Sequence, residues 1–453
     1  MKITKSLLNT GAALALSLLA TSVMAAVSAE EAAKLGTTLT PVGAEMAGNA
    51  DVSIPAWTGG LPKNAGTADS KGFLSDPFAS EKPLFTITAQ NVAQYQKFLS
   101  PGQIALFKRY PDSYKMNIYP THRSANLPKD VLEQSRTNVA KTSLADGGNG
   151  LHDYARGIPF PLPTEGLEVM WNHMTRYRGG SYERISSAAL VRENGATSYV
   201  RNQSLINFAE TVSGLEPNAN TLFLFKSRVL EPARLSGEAV LVHEPIDQVA
   251  EPRSAWQYLP GQRRVRRAPM LAYDNSARYS NGLITADNID GYNGAPDRFD
   301  WKLIGKQELF IPYNSYKIGS HSLKYDEVIK PNHINQDLAR YEKHRVWVVE
   351  ATLKPNARHI YAKRRFYVDE DSWQIAQSDQ YDSRGELWRS GELHAIAQYD
   401  HGFTYNVLET SYDLIAGRYY AGGLTNEETE PMRVGFAAKT DDYTPSDLRR
   451  WAK

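Results

Sequence analysis

From about residue 168 the chain alternates short runs of β-branched and aromatic residues with tight turn signals. Thr221-Leu222-Phe223-Leu224-Phe225, Ala239-Val240-Leu241-Val242 and Val346-Trp347-Val348-Val349 are such runs. Pro260-Gly261, Lys354-Pro355-Asn356 and Ser383-Arg384-Gly385 punctuate the region. With no long helical pattern between strands, this texture predicts an antiparallel meander rather than a parallel sheet. The segment around 345–387 predicts strands over 346–353, 359–368, 373–377 and 386–388, with a turn at Asp369-Glu370-Asp371-Ser372. One strand carries large apolar residues on both faces: Trp347, Val349, Ala351 and Leu353 on one, Val346 and Val348 on the other. An open sheet with one wet face does not need that pattern, whereas a strongly curved one, packed outside and enclosing a lumen or core inside, does.

The N-terminal third reads differently. Ser28-Ala29-Glu30-Glu31 is a capping-box pattern opening a short helix, and the proline- and glycine-rich stretch 37–83 predicts loop. Thr88 is placed to cap a helix with Val92, Tyr95 and Leu99 on one face; Pro101-Gly102 interrupts it before Ile104–Phe107. Another helix is expected from Pro128, striped by Val131, Leu132, Val139 and Ala140. Residues 446–451 suggest a terminal helix. The organisation expected is a signal segment over 1–25, a loop-rich and helical segment covering the sheet over 26–165, a curved antiparallel β domain over 166–420, and a tail over 421–453. The fold class is α+β, mostly β: an incomplete barrel covered by helices.

The first residues support export. Lys2 and Lys5 precede an apolar run, and Val23-Met24-Ala25 offers a cleavage site. The run is short for a membrane span, and no later stretch approaches that length. The chain contains no cysteine, which removes disulfides, thiolate metal sites, a cysteine nucleophile and a lipidated cysteine. Its 51 basic and 50 acidic residues give no electrostatic case for nucleic-acid binding. No G-x-S-x-G elbow, H-E-x-x-H, Walker loop or dinucleotide fingerprint is present. No catalytic residue, metal site or cofactor is therefore assigned.

Three clusters carry chemistry. The ten histidines are scattered and read as structural. Asp287, Asp290, Asp297 and Asp300 share a loop with Asn288 and Asn293; the spacing is not that of an EF-hand, and turn chemistry is the reading preferred over calcium. Arg263, Arg264, Arg266 and Arg267 form the densest charge cluster, read as a solvated, salt-bridged strand, as a headgroup site at a cavity mouth, or as a partner-docking segment. The 25 tyrosines, 14 phenylalanines and 8 tryptophans suit half-buried walls. The candidate wall residues are Trp171, Tyr177, Phe223, Phe225, Trp256, Trp347, Tyr361 and Phe366.

Several blocks together resemble an uncharacterised family of exported proteobacterial proteins that carries only a domain-of-unknown-function label. They include Leu39-Thr40-Pro41-Val42-Gly43-Ala44-Glu45, Ile54-Pro55-Ala56-Trp57-Thr58-Gly59-Gly60, Tyr258-Leu259-Pro260-Gly261-Gln262-Arg263-Arg264-Val265-Arg266-Arg267 and Asp369-Glu370-Asp371-Ser372-Trp373. The resemblance implies a fold similar to the periplasmic lipoprotein carriers LolA and LolB. It also implies association with exporters of the resistance–nodulation–division type and with an outer-membrane protein. The chain departs from those carriers in being about twice their size and in lacking LolB's lipid-attachment cysteine. The expectation is a periplasmic carrier for a lipid or hydrophobic molecule; an envelope adaptor or a lipid- or glycan-acting hydrolase are the alternatives.

Overall fold

The computed structural model describes residues 27–216, 219–248, 250–268 and 273–453; the expected signal segment lies outside them. Thirteen strands form one continuous antiparallel ribbon. They are β1 (Ser181–Val191), β2 (Thr197–Phe208), β3 (Phe223–Glu231), β4 (Ala239–Glu244), β5 (Ser254–Leu259), β6 (Arg264–Arg267), β7 (Phe299–Pro312), β8 (Tyr341–Leu353), β9 (Lys363–Asp369), β10 (Ile375–Tyr381), β11 (Leu387–Gln398), β12 (Phe403–Asp413) and β13 (Arg418–Leu424). The spatial order is β7-β8-β9-β10-β11-β12-β13-β1-β2-β3-β4-β5-β6. Two meanders are thus joined where the last long strand pairs with the first, Tyr419 opposite Val191 and Tyr420 opposite Leu190. β8 also meets Met116–Ile118, in parallel, which pairs with Phe85–Ile87; among the described residues β6 pairs with none of these strands at the other end, so the curved sheet stays open as expected.

Besides two single-turn helices, Ala29–Ala32 at the expected Ser28 capping box and Tyr325–Val328, four longer helices accompany this ribbon: α1 (Pro101–Arg109), α2 (Lys129–Asn138), α3 (Gly166–Thr175) and α4 (Pro445–Trp451). α1 lies on the outer face against β10 and β11. Pro101 begins this helix instead of breaking it, because proline is accommodated in the first turn. Gly102 is required by close approach: a Cβ there would stand 1.9 Å from Ser390 Oγ. The helix expected after Thr88 is replaced by two single 3-10 turns, Val92–Gln94 and Gln96–Phe98. Asn91 binds the Thr88 N–H (2.8 Å) and the Thr86 carbonyl (3.1 Å), offering the backbone a local alternative to the helix. α2 starts where Pro128 predicts.

α3 lies inside the region read as strands. All ten of its residues are buried, its polar positions Glu168, Asn172 and Thr175 included; Asn172 exchanges hydrogen bonds with the Phe160 backbone, and Thr175 donates to the Trp171 carbonyl. It packs on the inner face against β7 and β8. Gly166 sits so close to the β7 backbone that a Cβ would meet the Lys302 carbonyl carbon at 2.8 Å. Around α3, Val169, Met170, Phe366, Trp373, Ile375 and Leu393 form a solid core. On the other side of the same strands, Val346 and Val348 pack with Leu309, Ile311 and Tyr367. Both faces of β8 are buried, as its sequence requires.

Candidate functional site

The inner face is filled only over its β7–β11 half. Over β12, β13 and β1–β4 it borders a cavity of about 350 Å³, roofed by α3 and by the segment 277–293. Strand alternation builds the wall. Phe223, Phe225 and Val229 of β3 and Val240 and Val242 of β4 face inward, while Leu224, Ala239 and Leu241 face outward into the core around α4. Phe223, Phe225, Val240 and Val242 all keep partial exposure, unlike their neighbours in the solid half. Ser186, Asn202, Ser204 and Ser227 make a polar stripe beside them. Ile289, 48% exposed, stands at the rim.

The charged end of the cavity is a consequence of burying α3. A buried helix terminus must find partners for its last carbonyls. Arg176 Nη1 donates to the His173 carbonyl at 2.6 Å, and Arg178 Nη2 to the Met174 carbonyl at 3.0 Å. Two buried guanidinium groups in turn demand a counter-charge, and Asp290 supplies it. Its carboxylate accepts from Arg176 (2.7 and 2.8 Å), Arg178 (2.7 Å) and Asn406 Nδ2 (3.0 Å). Burial opposes ionisation of Asp290, but the two arginines outweigh it and hold the carboxyl well below the usual range. His173 donates from Nε2 to the Asp290 carbonyl (2.8 Å) and accepts the Ile375 N–H at Nδ1 (3.0 Å). Burial pushes its pKa down to about 3, so the imidazole is neutral.

Glu409, on β12, accepts the Asp290 and Gly291 N–H groups at 3.0 and 3.4 Å. It borders the cavity, and burial together with the Asp290 charge raises it to about 7. Arg184, on β1, lies 5.0 Å from the Tyr405 ring. Its Nε has no hydrogen-bond partner, nor has the Tyr405 hydroxyl.

A second anchor pins the roof segment. Asp287 binds Arg364 Nη1 (2.8 Å) and His359 Nε2 (3.0 Å), and Arg364 is enclosed by the Tyr292, Tyr361 and Phe366 rings. At the rim, Arg253 meets Glu244 and Arg278 meets Glu238. Asp287 and Asp290 therefore act as ion-pair anchors for arginines on other elements, which corrects the turn-chemistry reading of that loop.

Of the expected wall residues, Trp171, Phe223 and Phe225 line the cavity. Tyr177 lies under Arg156. Trp256 faces outward with His243 and Arg267, and Trp347 stacks on Trp373. Tyr361 accepts from Arg389 at 2.7 Å, and Phe366 stacks on Trp301. None of these five lines the cavity: Tyr361 and Phe366 are buried in solid regions, while Tyr177, Trp256 and Trp347 are half-buried elsewhere. Arg263, Arg264, Arg266 and Arg267 do not line the cavity either, and among the described residues they form no ion pair, against the salt-bridged reading. Arg266 pairs in register with Gln257; the Gln257 amide oxygen, in the orientation its neighbours demand, accepts from rim residue Arg278 at 2.8 Å. Arg264 and Arg266 thus extend the inner face beyond the cavity, and Arg267 points the other way. Arg184, Asp290 and Glu409 are brought together by three distant segments, and of these only Asp290 stands out in the sequence.

Among the described residues, His344, Asp369 and Asp371 approach one another on the outer face closely enough to share an ion. They are already engaged: Arg123 grips Asp371 (2.6 and 2.8 Å), and Ser372 and Tyr313 bind Asp369. Trp373 Nε1 donates to the Val42 carbonyl at 3.0 Å, so this turn clamps the N-terminal loop. Neither ring nitrogen of the buried His394 makes a hydrogen bond, although Nε2 lies 3.9 Å from a Glu392 carboxylate oxygen.

The family model described as "Protein of unknown function (DUF1329)" matches residues 86–449. The chain belongs to this family. An uncharacterised protein of Pseudomonas aeruginosa is 58% identical over 452 residues, covering 99% of each chain. Similar solved structures include a DUF1329 family protein from Desulfovibrio piger, with 14% identity and a TM-score of 0.42 over 60% of this chain and 92% of that one. A LolA superfamily protein from Nitrosomonas europaea has 14% identity and a TM-score of 0.38 over 62% and 98%. Family membership confirms the resemblance read from the sequence blocks, and the unclosed curved sheet is the architecture it implied. Among the described residues no helix is long and apolar enough to cross a membrane.

Proposed function

We propose that this DUF1329 protein is a periplasmic carrier or binding protein for a lipid or other hydrophobic molecule. The observation that supports the reading is the half-hollow inner face, where Phe223, Phe225, Val240 and Val242 border about 350 Å³ instead of packing against side chains. Burial of each methylene contributes about 0.8 kcal/mol, so a chain of about twelve carbons gains roughly 10 kcal/mol before association costs. No covalent chemistry is needed for such a role. On this reading the carrier works between an exporter of the resistance–nodulation–division type and the outer membrane.

A hydrolase reading would draw on Asp290 and Glu409, whose pKa values diverge. Asp290 is a poor base, because four hydrogen bonds already occupy its oxygens. The test of the carrier reading is purification from the periplasm without detergent, followed by lipid mass spectrometry. A co-purifying amphiphile at near-stoichiometric level is expected; its repeated absence overturns the reading.

A further inference from the structure

We infer that the cavity selects a single-chain amphiphile with an anionic head, a fatty carboxylate or an alkyl phosphate, and that Arg184 receives that head. The inference rests on the carrier reading and specifies its ligand.

Charge points to the head. Arg176, Arg178 and Arg184 face two carboxyl groups at this end of the cavity, Asp290 and Glu409. Arg176 and Arg178 are satisfied by Asp290 and by the carbonyls of α3. Arg184 is not. Among the described residues no carboxylate lies within ion-pairing distance of it; its Nε is without a partner, as are those of Arg176 and Arg178, but it has no counterpart to their Asp290 contact. A guanidinium rarely stands beside apolar surface without an anion or a hydrogen-bonded network to balance it. Arg184 rests against the ring of Tyr405, whose hydroxyl is buried and also without a partner. Glu409 is raised by burial and by Asp290, so near neutrality it does not fully cancel the arginine.

Size and layout point to the tail. At the ~30 Å³ that a water-sized group occupies in a liquid, about 350 Å³ holds a dozen methylene-sized groups. That is room for one chain of about twelve carbons. The layout is graded across the strands, where Arg184, Ser204, Ser227 and Val240 lie in one register row. Tyr182, Arg184 and Ser186 of β1 lie on one side, the serine stripe follows on β2 and β3, and Phe225, Val240 and Val242 lie beyond. A head on Arg184 thus leaves its tail over the apolar strands.

The test uses the purified mature protein after delipidation, with calorimetric titration of dodecanoate, dodecyl phosphate, dodecanol and dodecyltrimethylammonium below their micelle concentrations. At least one anion is expected to bind about tenfold to a hundredfold more tightly than dodecanol, the range of one charge-assisted hydrogen-bond set. The cation is expected to bind more weakly still. The carboxylate and phosphate arms separate the two heads. Arg184→Met is expected to abolish the preference for the anion over dodecanol, and Arg184→Lys to restore part of it. The comparison among ligands on the unaltered protein stands even if the variants fold poorly. Equal affinity for dodecanol and both anions, or an unchanged preference in a folded Arg184→Met protein, overturns the inference and leaves the carrier reading intact. No binding by any twelve-carbon chain overturns the carrier reading itself.

Discussion

Val240 offers a direct way to close the cavity without disturbing its polar end. It sits on β4 with its side chain toward the empty space, opposite Ser227 of β3 and Gln257 of β5. Val240→Trp adds seven heavy atoms, which at interior packing density take on the order of 100 Å³, close to a third of the volume. A bound alkyl chain then loses room for about three methylenes at ~30 Å³ each. At about 0.8 kcal/mol per methylene that is roughly 2.5 kcal/mol, or a fifty- to hundredfold loss of affinity. Overpacking a filled core would cost about 1–3 kcal/mol or more, whereas filling an existing void should leave stability within about 1 kcal/mol. The assay pairs denaturant unfolding with displacement of a fluorescent fatty acid. Weakened binding at unchanged stability is the expected signature. Unchanged binding means that the chain does not lie against β4, and severe destabilisation means that the space was not hollow.

The buried polar groups give further expected outcomes. Asp290→Ala leaves Arg176 and Arg178 without their counter-charge and should cost about 3–5 kcal/mol in denaturant unfolding; a loss under 1 kcal/mol contradicts its anchoring role. Glu392, wholly buried, accepts from Gln103 and Tyr341, and burial raises its pKa from the ordinary 4.5 to about 7. A carboxyl raised in the folded state contributes stability that is fully present below pH 4.5 and is lost as pH rises through 7, about 3 kcal/mol in all. Stability curves of Glu392→Gln and the native protein between pH 5 and 8 should therefore converge at the acid end and separate at the basic end; parallel curves refute this. His394→Leu removes two buried nitrogens without partners and should stabilise the fold by about 1–3 kcal/mol in thermal unfolding, whereas a destabilised variant shows that the ring has a partner.

The meander was legible because its turns are written in proline, glycine and aspartate. The Asp369–Ser372 turn, the strand over 346–353 and the terminal helix appear where expected. α3 carries a helical period in Glu168, Asn172 and Thr175, but over only ten residues that run directly into the strand-rich region, too short a stretch to stand out from it. The strand expected over 359–368 begins only at Lys363; His359 and Tyr361 instead serve Asp287 and Arg389 from the preceding segment. At the site, Phe223 and Phe225 could be found because they alternate along one strand. Arg184 could not, because its neighbours Glu183 and Ile185 obscure the inward set of Tyr182, Arg184 and Ser186. Nothing local indicates that Asp290 and Glu409, 119 residues apart, meet at the end of α3. The densest arginine cluster drew attention to β6, yet the guanidinium left without a partner at the cavity stands alone in β1.

The central claim is that the open half of the inner face holds a hydrocarbon chain. A crystal structure of the protein grown with dodecanoate tests it most directly. Continuous rod-like density lying over Phe225 and Val240 is predicted, with no side chain occupying that volume. A cavity collapsed onto its own side chains, or one filled only by hydrogen-bonded waters while dodecanoate is saturating, would contradict it.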